Sequence, residues 1–371
     1  YYRVYYFLRN RFIGETIKKK SLPNFNSIVW KQVLINKNSY LVKSNTFSFL
    51  NFSHSFSLEI DWNYDQFGKL WTYNLNYFDY LNQEKISKNE GLQLIEDYIK
   101  NDNILIDGKE SYPISLRGIN WIKFLSKNQI INLVINETLY NHYRILLKNI
   151  EYHLLGNHLL ENAFSLLFGA YYFQDEKLYN KSKKILKTQL NEQILADGGH
   201  FELSPMYHQI MLFRVLDCIQ LIKLNSWKND DLLSLLKESS SKMLSWLDNM
   251  TFNNGDIPMV NDSAFQIAPS TKELLDYGKS LGINRKDIKL TDSGYRMFKN
   301  QKYELFMDMG GVKASYQPGH VHSDIFNFIL YKNNLPFILD TGTSTYEKNE
   351  RRQIERSTSS HNTITIGDYE Q

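Results

Sequence analysis

The sequence predicts a two-domain α + β protein: a stacked or toroidal helical domain, then an antiparallel β-sandwich that breaks off early. Three observations carry this. Apolar residues recur at three- and four-residue spacing from about residue 71 to 282. Short strand-like runs separated by Gly, Asn and Asp take over from about 283. Connections within the helical part are short and rich in Asn, Asp, Gly and Ser, as helical hairpins require. Five or six strands leave a sheet with open edges, so the chain is expected to be the front part of a longer protein.

Residues 1–70 form an N-terminal extension with strand-like pieces at Thr46–Leu50 and Phe56–Ile60. Helical periodicity then runs through Leu92–Ile99, Ile114–Leu125, Ile130–Ile150, Leu159–Phe173 and Leu178–Ile194. It continues through Met206–Leu224, Leu232–Leu247 and Leu274–Leu281. No repeat of fixed period appears, which argues against a regular solenoid. Residues 283–371 supply strand candidates at Tyr303–Met309, Gly311–Tyr316, His322–Tyr331, Pro336–Leu339 and Asn362–Ile366.

Composition removes several function classes. At 371 residues, with 42% hydrophobic and 22% charged residues, the chain is an ordinary globular protein of about two domains. A net charge of +3 supplies no basic field for nucleic acid. No apolar run approaches the roughly 20 residues of a membrane span. The single cysteine, Cys218, excludes an intrachain disulfide framework and is expected to be a buried, inert thiol. The start, with Arg3, Arg9 and Arg11 among aromatics, shows no secretory cleavage signature, but it lacks a Met. The 25 tyrosines suit stacking on sugar rings, or they reflect AT-rich codons.

The chemistry concentrates near the end. His320 and His322 are two apart beside an apolar run, so a strand would point both rings to one face. Asp340 follows Leu335–Leu339, a run expected to be buried, where a lone carboxylate is costly. With His361 these residues make a two-His, one-carboxylate metal set with one imidazole left over for chemistry. The plainer reading is a chance pair of surface or core histidines.

Two polar groups interrupt the helices. Asn157, His158 and Glu161 share one face of a helix that is apolar almost all round, so they face a cleft or need buried partners. Ser204-Pro205 marks a helix start, which puts Tyr207 in the first turn. There the helix dipole is expected to lower the phenol pKa. Anchoring by packing is the alternative role for that ring.

Several stretches then resemble one family. Trp71–Tyr80, Tyr112–Arg117 with Asn120-Trp121, Gly156-Asn157-His158 and Ser204–His208 resemble the N-terminal region of heparinase II/III-like polysaccharide lyases. Gly319–Asp324, Asp340-Thr341-Gly342 and Ser360–Thr363 resemble that family's sandwich signatures, so the resemblance covers nearly everything after residue 70. It implies an incomplete α/α toroid followed by an antiparallel β-sandwich, and cleavage of an anionic, uronate-containing polysaccharide by β-elimination.

By position the resemblance makes Tyr207 and His320 catalytic, with Asn157 or His158 neutralising the substrate carboxylate and Glu161 supporting them. His322, Asp340 and His361 become the metal set, for a zinc that braces the cleft floor. Arg117 and Arg356 are candidate clamps for substrate carboxylates, or structural ion-pair partners. Members without a visible signal segment point to surface-polysaccharide systems, so a periplasmic or cell-envelope setting is expected. Two alternatives stay open: a non-catalytic glycan-binding or assembly factor on this scaffold, and a metal-dependent hydrolase, which needs an open metal position. The uronate polymer and the oligomeric state are not legible in the sequence.

Overall fold

The computed structural model describes residues 2, 4–6, 9, 22–316, 318–367 and 369–371; Arg3 and Arg11 lie outside them. Two compact units emerge. One is Tyr1–Leu186 with Gln220–Asn229, the other Lys187–Ile219 with Asp230–Gln371.

The first unit opens with an antiparallel meander, β1 (Tyr40–Leu41), β2 (Thr46–Phe49) and β3 (Phe52–Ser55). Leu50 and Asn51 both take positive φ, 53° and 66°, the backbone of a two-residue hairpin turn. That tight turn brings the return strand forward to Phe52–Ser55 instead of the expected Phe56–Ile60. Phe47 is buried against Tyr40, ring centroids 4.4 Å apart, which turns this strand's inner face toward apolar neighbours.

After α1 (Lys69–Tyr77), which none of the predicted helical runs covers, helices follow where periodicity places them: α2 (Lys88–Lys100), α3 (Ser111–Lys127), α4 (Leu133–Lys148) and α5 (Gly156–Phe173). Ser87 and Glu90 close a capping box at the start of α2, and Asn132 accepts from the Ile135 N–H at the start of α4. Nearly every residue of α5 is buried, as its all-round apolar pattern requires. Tyr143 of α4 fits because Gly118 and Gly169 lack side chains. A Cβ there would fall 2.6 Å and 2.7 Å from Tyr143 atoms.

Helices α6 (Glu176–Gln193) and α7 (Pro205–Leu224) run from one unit into the other. The second unit adds α8 (Leu232–Met250), α9 (Thr271–Ser280) and α10 (Glu350–Arg356). Its sheet is antiparallel in sequence order: β4 (Tyr295–Lys299), β5 (Tyr303–Asp308), β6 (Phe328–Lys332) and β7 (Leu335–Ile338). Trp246 and Met250 of α8 pack with Tyr295, Phe306, Ile329 and Tyr331 of the sheet, forming this unit's core.

Three strand expectations change. Gly311–Tyr316 and Asn362–Ile366 are not strands, and His322–Tyr331 contracts to β6. The histidine pair therefore lies outside any strand, in a turn where the Val321 N–H donates to the Pro318 carbonyl at 3.3 Å. Strand β4 was not expected. Cys218 is fully buried, as anticipated.

Candidate functional site

The second unit builds its polar centre from the start of α7. Ser204 caps the helix, its Oγ accepting from the Tyr207 N–H at 3.4 Å, and Pro205 occupies the first helical position. The same Oγ reaches the Asp262 carbonyl at 2.9 Å and Ser263 Oγ at 3.0 Å. The Asn261-Asp262-Ser263 segment is thus fastened to the helix that carries Tyr207. It is equally fastened to the histidines. Asn261 Oδ1 accepts from the His322 N–H at 3.0 Å, and the Asp262 N–H donates to the His320 carbonyl at 3.2 Å. Gly342 is required beside it: its φ is +60°, and a Cβ would lie 2.5 Å from the Ser263 carbonyl.

This hub brings Tyr207 and His320 together. Their ring centroids are 4.1 Å apart and tilted by 35°. Tyr207 Oη donates to Tyr346 Oη at 3.1 Å, while His320 Nε2 lies 3.8 Å from Glu202 Oε2. The Asp262 carboxylate accepts from His320 Nδ1 at 2.8 Å, His322 Nε2 at 2.9 Å and Arg352 Nη2 at 2.7 Å, with Arg352 Nη1 on its other oxygen. Burial alone would raise this carboxyl, but its His and Arg partners hold it below the usual carboxylate range.

The expectation of a depressed tyrosine is reversed. Burial pushes the Tyr207 phenol up, and the charges of Asp262 and Glu202 reinforce it, outweighing the hydrogen bond with Tyr346. A helix dipole acts only within its first turn and is weaker than desolvation beside two carboxylates.

The expected metal residues are neighbours with different commitments. His361 Nδ1 donates to Asp340 Oδ2 at 2.7 Å, and the His322 and His361 rings lie 5.2 Å apart. Asp340 also accepts from the Asn327 amide at 2.6 Å and the Gly342 N–H at 2.9 Å. Asp340 is buried and partnered by these groups, but the Leu335–Leu339 run expected to be buried is largely exposed, with Leu335 at 68%, Phe337 at 65% and Leu339 at 47%. His322 Nδ1, His361 Nε2 and Asp324 Oδ2 are buried with no hydrogen-bond partner among the described residues. Each ring's other nitrogen rests on a carboxylate, the arrangement that orients metal-binding histidines. The donor chemistry therefore fits a zinc-like ion. Among the described residues, however, no three His, Cys, Asp or Glu side chains converge in a metal-holding geometry.

Asn157, His158 and Glu161 belong to the first unit. His158 Nδ1 lies 3.2 Å from Glu151 Oε1, and its ring is 4.5 Å from that of Tyr112. Asn157 and Glu161 are buried.

One expected clamp is corrected. Arg117 has no exposed surface; it donates to the Asn76 carbonyl at 3.2 Å and lies 4.8 Å from the Tyr98 ring, which makes it a core cation. Arg356 donates from Nε and Nη2 to the Val321 carbonyl, at 3.1 Å and 2.7 Å. It braces the segment between the paired histidines. Asp262, Arg352, Tyr346 and Glu202 were not singled out from the sequence. The rule applied to Asp340 would have found Asp262, a carboxylate beside the apolar Met259-Val260.

Fold and site together define a two-part scaffold, helices first and then a sheet-bearing part with a tyrosine beside a histidine and a buried His–Asp cluster. The heparinase II/III N-terminus model matches residues 120–290, and the heparinase II/III-like C-terminal model matches 282–371. The chain belongs to the heparinase II/III-like family. A heparin-sulfate lyase of Bacteroides stercoris is 25% identical over 240 residues, covering 57% of this chain and 35% of that protein. One from Bacteroides thetaiotaomicron is 24% identical over 258 residues, covering 57% and 37%. The chain thus spans about a third of the length of these curated relatives. Solved heparinase III shares the fold, with TM-score 0.62 and 18% identity over 100% of this chain and 68% of its own. The fold class is an incomplete α/α toroid followed by an antiparallel β-sandwich. No helix among the described residues is long and apolar enough to cross a membrane.

Proposed function

We propose that this protein is a polysaccharide lyase that cleaves a uronate-containing polymer by β-elimination. The observation that carries the reading is the contact of Tyr207 with His320, 4.1 Å between ring centroids. A phenol and an imidazole side by side can divide the two proton transfers that elimination needs.

Because Tyr207 is held as a neutral phenol, its natural task is to protonate the departing glycosidic oxygen. His320 takes the C5 proton; the C4–O4 bond breaks and a C4=C5 double bond forms. Each proton transfer contributes on the order of a hundredfold or more. Each preorganised donor to the substrate carboxylate contributes about 3 kcal/mol to the enolate-like state. The heparin-sulfate lyase relatives make a glycosaminoglycan the first polymer to try. The setting that follows is periplasmic or cell-envelope.

The test is incubation with glycosaminoglycans, alginate and bacterial uronate polymers, watching ultraviolet absorbance of the unsaturated product. Silence on every polymer, with the circular dichroism of a folded protein, sinks the lyase. Binding without turnover in that experiment favours the glycan-binding alternative.

We also propose a structural zinc held by His322 and His361 with a carboxylate from Asp340 or Asp324. When bound, it would brace the loops behind His320. Metal analysis of purified protein is expected to find about one zinc per chain, and chelation is expected to lower the melting temperature. A metal-free protein that melts identically with and without chelator removes this proposal.

A further inference from the structure

We infer that Asp262 is the positioning residue of this site: its carboxylate decides which ring nitrogen of His320 carries the proton, leaving Nε2 as the nitrogen that receives one. The consequence for turnover rests on the lyase reading above; the proton placement does not.

A neutral imidazole has one N–H, and the hydrogen bond at one ring nitrogen fixes what the other can do. An ionised carboxylate only accepts, so a ring nitrogen bonded to it must be the protonated one. Asp262 bonds Nδ1 of His320 at 2.8 Å but Nε2 of His322 at 2.9 Å. Two histidines only two residues apart are therefore set in opposite tautomers by one side chain. The arrangement persists because Arg352 places both terminal nitrogens on the same carboxylate, a fork that keeps a fully buried Asp ionised. The backbone of Asp262 completes the link, bonding the His320 carbonyl and the Ser204 hydroxyl at the head of the Tyr207 helix. One residue thus sets both the ring's distance from Tyr207 and its proton. A purely structural ion pair with Arg352 would need neither histidine contact.

Asp262→Asn separates these roles. An amide has one accepting oxygen and one donating nitrogen. It can accept from only one of the two rings, and the other must move its proton to its far nitrogen.

The experiment uses the full chain carrying 15N-labelled histidine in alkaline buffer. Long-range proton–nitrogen correlation reads each ring's tautomer, with signals assigned through His320→Gln and His322→Gln. Wild type is expected to show His320 protonated on Nδ1 and His322 on Nε2. Asp262→Asn is expected to convert one ring and to lower kcat about a hundredfold with KM changed less than about threefold. A wild-type His320 protonated on Nε2 overturns the inference, as does Asp262→Asn with both rings unchanged. Should Asp262→Asn not fold, the wild-type spectrum decides by itself. A wild type that cleaves no uronate polymer defeats the lyase reading and leaves the tautomer result standing.

Discussion

Each unit contains a His–Asp–Arg knot, and the two are wired in opposite ways. In the first unit, His142 Nε2 bonds Asp102 at 3.0 Å while Arg117 Nη2 approaches the ring's other nitrogen at 3.4 Å. In the second, Arg352 grips the carboxylate and Asp262 bonds the ring. Exposure is reversed as well. The His142 side chain is 3% exposed and Asp102 29%, whereas His320 is 17% exposed and Asp262 0%. A cation beside the imidazole opposes its protonation and locks it as a core group. A cation behind the carboxylate instead fixes the acceptor and leaves the ring presented. Three shared residue types thus give a structural knot in one place and a candidate reactive centre in the other.

The same substitution in both knots puts this contrast at risk. His320→Gln is expected to reduce kcat by about a hundredfold to a thousandfold, with the denaturation midpoint nearly unchanged. His142→Gln is expected to destabilise the fold by about 3 kcal/mol, through the unpartnered groups it leaves, without changing kcat per folded molecule. Urea melts and steady-state kinetics on both variants decide it. Equal effects on stability would erase the distinction.

A smaller effect follows from pH. Burial, together with the charge of Arg117, holds the His142 imidazole down to about 4. Its folded pKa lies below the ordinary value of about 6.5, so the unfolded chain binds the proton first. The stability tied to this ring is complete above about 6.5 and is lost as pH falls through about 4, on the order of 2 to 3 kcal/mol. Urea midpoints measured across that window in wild type and in His142→Gln should converge at the acid end. Parallel curves would remove His142 as the cause.

Much of the fold was legible because its signals are local. Periodicity located the helices from α2 to α9, and Ser204-Pro205 located the start of α7. The site was half legible. Tyr207 and His320 are 113 positions apart (320 − 207), yet each sits in a short motif of its own. The hub that joins them does not. Asn261-Asp262-Ser263 lies in an irregular segment without periodicity, and its partners are Ser204, His320, His322 and Arg352. Two inferences failed for a related reason. Alternation on a strand was assumed for the histidines, whose common partner is instead a carboxylate 58 residues upstream of His320. The tyrosine's helix dipole was read without the buried carboxylates that oppose it, and those come from Asp262 and Glu202.

The central claim is that Tyr207 supplies a proton to a sugar oxygen beside His320. Its most direct test compares wild type with Tyr207→Phe on a uronate polymer that the wild type cleaves, recording the ultraviolet signal of the unsaturated end and polymer binding. The account predicts no detectable signal from Tyr207→Phe while binding is retained; an undiminished rate from that variant would contradict it.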